Sequence, residues 1–131
     1  MNSTRDISAL VGRVFLAIIF IIGGFGKING FDGTAAYIAS KGMPFPPLMA
    51  AGAILVELGG GLLLLVGYRA RWAALAIFLF LIPTTLIFHN FLADPEQQGA
   101  FLKNLAIMGG MLMVWAFGPG RFAIGGDSAN A

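Results

Sequence analysis

The sequence predicts an all-α membrane protein, a bundle of four transmembrane helices with a short helical outer loop. The chain of 131 residues is 58% hydrophobic and only 11% charged, whereas soluble domains carry about 25% charged residues. Its mean hydropathy is +0.86. Because so few charges cannot cover a soluble surface, lipid is the solvent that suits this composition, and the length suits a single domain over residues 1–131.

Four apolar runs predict the spanning helices. Each is close to the ~20 residues that a helix needs to cross about 30 Å of hydrocarbon, and each should be helical because lipid leaves no partner for unpaired backbone groups. The spans are expected at about 7–25, 48–67, 72–92 and 101–117. The first resembles a signal peptide, but Arg13 and Lys27 interrupt the pattern and no Ala-x-Ala site follows, so we expect it to be retained.

The connections predict the topology. The second and third spans are joined by residues 68–71 alone, so they should be antiparallel neighbours. This turn carries Arg69 and Arg71, which fall on the same side of the membrane as Arg5 and Arg121. The acidic residues Asp32, Asp94 and Glu96 fall on the other side, so the positive-inside rule places both termini in the cytoplasm.

The first outer loop, residues 29–47, should contain a short helix. Asp32 is a candidate N-cap for a helix over 33–41. Gly42 suits the C′ position and Pro44 is a stop signal after it. The tail after Gly120 is small and polar, and we expect it to fray.

Polar side chains interrupt all four spans, and ionisable groups in a membrane span usually face the bundle interior. The candidate cluster comprises Arg13 and Lys27 on one face of the first span, Glu57 in the second, Thr85, His89 and Asn90 after Pro83 in the third, and Lys103 and Asn104 in the fourth. A mid-membrane carboxylate is either protonated or paired, and Arg13 is the expected partner of Glu57.

Each of these residues also has a purely structural interpretation. A lysine at a helix end usually extends its amine to water, and a lone histidine near an interface often caps a helix. An Arg13–Glu57 pair could simply fix helix register. The joint occurrence in four spans, most of it at one depth, favours a functional cluster.

Composition excludes several chemistries. The chain has no cysteine and one histidine, which removes disulfides, thiolate nucleophiles, iron–sulfur ligation and a haem held by two histidines of one chain. No metal or flavin site is evident, and no self-contained catalytic site. The eight basic residues are scattered, so nucleic acid is not an expected partner.

The ordered set of motifs resembles the DoxX family of small integral membrane proteins over nearly the whole chain. The stretches that carry the resemblance are 13–20 (RVFLAIIF), 24–27 (GFGK), 57–61 (ELGGG), 88–91 (FHNF), 103–105 (KNL), 109–110 (GG) and 118–121 (GPGR). The resemblance implies a four-helix bundle in a bacterial cytoplasmic (inner) membrane. It also implies an association with quinone-linked redox metabolism or with oxidative and thiol stress.

Three functions follow as hypotheses. The first is a subunit or accessory factor in quinone-linked redox metabolism or stress defence, with quinone as the ligand and a soluble or membrane redox protein as the partner. The second is a non-enzymatic membrane scaffold that docks soluble partners. The third is a binding or permeation protein for a small anionic solute, motivated by the cations near one mouth. The sequence leaves the oligomeric state open, a homo-oligomer included.

Overall fold

The computed structural model describes residues 3–90 and 92–124. Over these ranges the chain is helical and contains no strand. The helices are α1 (Ser3–Asn29), α2 (Phe31–Ser40), α3 (Pro46–Val66), α4 (Ala70–Phe88) and α5 (Gln98–Phe117), and the 3₁₀ turn Pro95–Gln97 precedes α5. Helices α1, α3, α4 and α5 with its 3₁₀ turn are long and apolar enough to cross a membrane, which confirms the predicted fold class.

The helix ends differ from the predicted spans by up to four residues. Helix α1 is longer than expected at both ends. Helix α4 stops at Phe88, four residues before the predicted end at 92, because His89 leaves the helical conformation at φ −129°.

Helix α2 is the predicted short helix of the outer loop. Its N-cap is Gly30 and no side chain caps it, so the expectation of Asp32 as N-cap is wrong. Asp32 lies instead in the first turn, where a carboxylate interacts favourably with the helix dipole. The helix ends as expected, because Gly42 adopts φ +76° and donates its N–H to the Ala39 carbonyl.

The bundle packs small residues inside and exposes large apolar side chains. Ala17, Ala74 and Ile77 are fully buried, while Phe15 and Leu55 are 69% and 73% exposed. Extensive apolar exposure on a folded surface marks contact with a membrane or a partner. The exposed faces of the helices therefore suit hydrocarbon.

Helices α1 and α3 approach closely because each presents a glycine to a larger side chain of the other. A Cβ added at Gly24 would lie 2.8 Å from the Cβ of Leu58, and one added at Gly61 would lie 3.0 Å from the Cγ1 of Ile21. Small residues at such positions let helix backbones pack tightly in a membrane. This contact brings the middle of α3 against the Lys27 end of α1.

A π-helical turn, Leu55–Gly59, interrupts the α-helical pattern of α3. Such turns are rare, and they occur frequently at functional sites. This one contains the buried carboxylate of Glu57. The turn therefore presents the one acidic side chain of the span to the interior of the bundle.

Candidate functional site

A cavity of about 830 Å³ lies between the helices at the end of the bundle that carries α2. All five helices contribute to its walls, which are mostly apolar, and small-molecule sites typically occupy about 300–1,000 Å³. Its polar and ionisable lining comprises Lys27, Thr34, Tyr37, Glu57, Thr84, His89, Lys103 and Asn104. Five of the eight residues of the predicted cluster thus line one space, and this is the candidate site.

The centre of the site is an ion pair between α1 and α3. The Lys27 Nζ lies 2.9 Å from the Glu57 Oε2 and 3.2 Å from the Oε1. The Glu57 side chain is 10% exposed and that of Lys27 is 33% exposed. Gly23 makes room for the pair, because a Cβ there would lie 3.0 Å from the Glu57 Oε1.

The expected Arg13–Glu57 pair is wrong. Arg13 is buried at the opposite end of α1, about 21 Å from Lys27 along the helix axis. Its guanidinium donates hydrogen bonds to the carbonyl oxygens of Pro119, Phe122 (2.7 Å) and, at 3.5 Å, Leu65. Backbone carbonyls rather than a carboxylate therefore bind the two terminal nitrogens of this buried cation, while its Nε has no hydrogen-bond partner among the described residues.

These bonds hold the chain after α5 against the bundle, in a segment that we call the C-terminal strap, residues 118–124. The Ile124 N–H donates to the Val66 carbonyl at 2.9 Å. Gly67, at φ +82°, lies close to the strap: a Cβ added at Gly67 would be 2.3 Å from the Cβ of Ala123. The expected fraying is therefore wrong for residues 121–124, and residues 125–131 lie outside the described part of the chain.

His89 sits where α4 ends, on the wall of the cavity. Its Nδ1 lies 2.9 Å from the Oε1 of Gln97, in the 3₁₀ turn before α5. Gln97 was not among the predicted residues, because a place in the short loop after α4 does not by itself indicate a contact with His89. This hydrogen bond fixes the orientation of the imidazole.

The polar residues of α5 differ in their surroundings. The amide of Asn104 is buried and donates to the Thr85 Oγ1 at 3.2 Å, so Thr85 lies behind the cavity and positions one of its walls. The amine of Lys103 has no hydrogen bond or ion pair with any residue that the structure describes. Lys103 is therefore a free cation at the cavity.

Asn90 belongs to the predicted cluster but does not line the cavity. Its Oδ1 accepts a hydrogen bond from the Leu92 N–H at 3.1 Å, and its carbonyl oxygen accepts from the Asp94 N–H at 3.0 Å. These contacts are typical of a side chain that shapes a turn. Asn90 thus has a structural role in the loop between α4 and α5.

Helix α2 borders the cavity through aromatic contacts that the sequence analysis did not anticipate. The rings of Tyr37 and Phe88 lie 5.3 Å apart between centroids, and both residues line the cavity. The amine of Lys41 lies 5.7 Å from the Tyr37 ring centroid. The apolar face of α2 is the feature of the sequence that could have predicted this contact.

The arrangement suits a ring-bearing, lipid-soluble molecule with a few oxygen atoms. The apolar walls would contact the ring, while the amines, the imidazole and the amide supply hydrogen-bond donors and acceptors. Within residues 3–90 and 92–124, no group of three or more His, Cys, Asp or Glu side chains is placed to hold a metal ion.

A helical membrane bundle with an ionisable pair in its interior and a ligand-sized cavity defines a multi-pass membrane protein with a candidate binding site. The chain belongs to the DoxX family, whose model matches residues 8–90. That match covers most of α1 and all of α2, α3 and α4, and it includes both members of the ion pair.

Two relatives from Escherichia coli K12 match almost end to end. Inner membrane protein YqjF is 39% identical over 124 residues, which are 95% of this chain and 94% of YqjF. Inner membrane protein YphA is 33% identical over 128 residues, 94% of this chain and 91% of YphA. The protein is thus similar over its whole length to proteins of a bacterial inner membrane.

A third relative is similar over about half of its length. CatD of Bacillus subtilis 168, a candidate oxidoreductase by its name, is 37% identical over 71 residues, which are 54% of this chain and 52% of CatD. No solved structure gave a significant match.

Proposed function

We propose that the cavity binds a membrane-soluble quinone. In this proposal the protein is an inner-membrane subunit or accessory factor in quinone-linked redox metabolism or in defence against oxidative and thiol stress. The observation that carries the proposal is a cavity of about 830 Å³ with mostly apolar walls and a few polar groups at one level. The oxidoreductase name of CatD supports the same class of chemistry.

The residues present fit such a ligand. An aromatic ring could pack against Tyr37 and Phe88, which contact each other in the wall of the cavity. The free amine of Lys103 and the ring nitrogen of His89 that does not contact Gln97 can reach oxygen atoms of the ligand. The ion pair of Lys27 and Glu57 can hold a proton beside the ligand.

In this proposal the electrons come from a partner protein. The chain has no cysteine that could act as a thiol relay. A partner protein that carries its own redox cofactor therefore supplies or removes the two electrons of the bound quinone in this proposal. The role of this chain is to bind and orient the quinone.

Binding can be measured directly with decylubiquinone and the purified protein in nanodiscs. We expect a His89→Ala/Lys103→Ala double variant to bind at least tenfold more weakly, since a hydrogen bond to a charged group is worth roughly 1.5–3 kcal/mol. No binding to the unchanged protein, or equal binding to the variant, would contradict the proposal.

A substitution that fills the cavity gives a second test. Gly26 lines the cavity and has no atom within 4 Å of the place of an added Cβ, so Gly26→Leu should occupy ligand space without disturbing the helices. We expect decylubiquinone binding to fall by about tenfold or more at unchanged thermal stability. Gly109→Leu is the matched control, because Gly109 has equally open surroundings but lies away from the cavity.

We further propose that both termini lie in the cytoplasm, which places the cavity toward the periplasmic side. The support is the positive-inside rule applied to Arg5, Arg69 and Arg121. Alkaline phosphatase is active only in the periplasm, so a fusion after residue 124 should be inactive and an insertion at 92–94 should be active. The reverse pattern of phosphatase activity would show that both termini lie in the periplasm and would contradict this proposal.

A further inference from the structure

We propose that the cavity selects the reduced form of its ligand, a hydroquinone with two hydroxyl groups, over the oxidised quinone. This inference rests on the proposed function, because it concerns the redox state of the same ligand. A quinone oxygen only accepts hydrogen bonds, whereas a hydroquinone hydroxyl also donates one. The preference therefore depends on whether the free polar groups of the cavity accept or donate.

His89 supplies the first free acceptor. Its Nδ1 lies 2.9 Å from the amide oxygen of Gln97, and this oxygen can only accept, so the Nδ1 carries the proton. In a neutral imidazole the other nitrogen, Nε2, is then an acceptor. This Nε2 has no partner among the residues that the structure describes, and His89 lines the cavity.

Two neighbouring residues also present acceptors to the cavity. The Thr84 hydroxyl donates its proton to the Phe80 carbonyl at 2.8 Å, which leaves the Oγ1 as an acceptor. The Asn104 amide nitrogen donates to Thr85, and within 3–90 and 92–124 its Oδ1 has no partner. Both residues line the cavity, so they add acceptors to that of His89.

The donors of the cavity are the amines of Lys27 and Lys103 and the second N–H of the Asn104 amide. The amine of Lys27 makes its close contacts with Glu57, a carboxylate that is itself only an acceptor. Lys103 is left as the cavity amine without a partner in the described part of the chain. The hydroxyls of Thr34 and Tyr37 can donate or accept, so they do not discriminate.

A hydroquinone matches this inventory better than a quinone. One hydroxyl could donate to the His89 Nε2 and the other to the Asn104 Oδ1 or the Thr84 Oγ1. Lys103 could still donate to a lone pair of either oxygen. A quinone would instead place its carbonyl oxygens against acceptors, and sites reject a ligand that leaves their polar groups unpaired.

The direct experiment compares decylubiquinol with decylubiquinone, each titrated anaerobically into the protein in nanodiscs. We expect the quinol to bind about tenfold more tightly. Equal affinities, or tighter binding of the quinone, would overturn the inference and leave the proposed function standing. If neither form binds, both proposals fail.

The histidine tautomer can be observed separately, because His89 is the only histidine of the chain. In protein labelled with ¹⁵N-histidine we expect a protonated Nδ1 and an unprotonated Nε2, and we expect decylubiquinol to shift the Nε2 signal. An unprotonated Nδ1 in the free protein, or no response of the Nε2 to the quinol, would overturn the inference.

Variants at Gln97 separate orientation of the imidazole from general stability. Gln97→Glu keeps an acceptor at the Nδ1 and, at a pH high enough to keep the imidazole neutral beside the new carboxylate, should retain both the tautomer and the preference for the quinol. Gln97→Met removes the acceptor and should reduce the preference at least threefold. The exposed neighbour Gln98→Met is the matched control and should change neither. A preference unaffected by Gln97→Met would contradict the role of His89.

Discussion

Replacing Arg13 with methionine is expected to lower the free energy of unfolding by about 2–4 kcal/mol. The substitution keeps an unbranched apolar stem but removes the hydrogen bonds of the guanidinium to the carbonyls of Pro119 and Phe122. Bonds from a charged donor are worth roughly 1.5–3 kcal/mol each. Part of that loss is offset, because folding no longer requires the desolvation of a guanidinium.

The loss should be local to the C-terminal strap before it is global. The amide of Ile124, which donates to the Val66 carbonyl, should exchange with solvent much faster in the variant. Arg13→Lys should rescue little, because one ammonium cannot reproduce the fork of a guanidinium.

Two measurements check the prediction: a reversible unfolding titration with sodium dodecyl sulfate in mixed micelles, and hydrogen exchange at Ile124. Arg5→Met is the matched control, because Arg5 is an exposed arginine of the same helix. Unchanged protection at Ile124 in the Arg13→Met protein would show that these hydrogen bonds do not hold the strap.

Removing the carboxylate of Glu57 is the second substitution with a large expected effect. Breaking a fully buried ion pair costs about 3–5 kcal/mol, because a charge is left without a partner. Here we expect Glu57→Ala to lower the free energy of unfolding by about 2–4 kcal/mol, since the Lys27 side chain is 33% exposed and its amine can partly reach water.

The structure also identifies the substitution that should restore stability. Lys27→Met in the Glu57→Ala background removes the uncompensated amine, so the double variant should recover at least 1 kcal/mol relative to Glu57→Ala, a typical coupling for residues in contact. Arg13→Leu should give no recovery, because Arg13 has other partners at the far end of the bundle. Recovery with Arg13→Leu, or none with Lys27→Met, would contradict this pairing.

The four long helices could be predicted because lipid constrains the backbone more than any side chain does. An apolar run of about 20 residues has no alternative to helix in hydrocarbon. The stop at Gly42 was equally predictable, since a positive φ after a helix favours glycine. The absence of a side-chain cap at α2 could not be predicted, because the N-cap position falls on Gly30, which has no side chain.

The partner of Glu57 could not be derived from depth along each helix. Sequence gives the height of a residue in its own span but neither the rotation of the helix nor its stagger against a neighbour. Here the close approach at Gly24 and the missing side chain of Gly23 bring Lys27 over Glu57. A search for opposite charges also overlooks backbone carbonyls, which are what Arg13 binds.

The candidate site was predictable in outline from the depth of its residues along their helices. The sequence predicts four polar residues near one level, and in the structure all four line one cavity: Lys27, His89, Lys103 and Asn104. Gln97 escaped prediction because its importance depends on a single hydrogen bond to a ring nitrogen, and nothing in its local sequence indicates that contact.

The bonds of Arg13 also impose an order on biosynthesis. Pro119 and Phe122 follow Arg13 by 106 and 109 residues. A ribosome must therefore deliver the first helix, with its cation, into the membrane long before these acceptors have been translated. Until then the guanidinium must draw on water, lipid headgroups or the insertion machinery, and its final burial is one of the last steps of assembly.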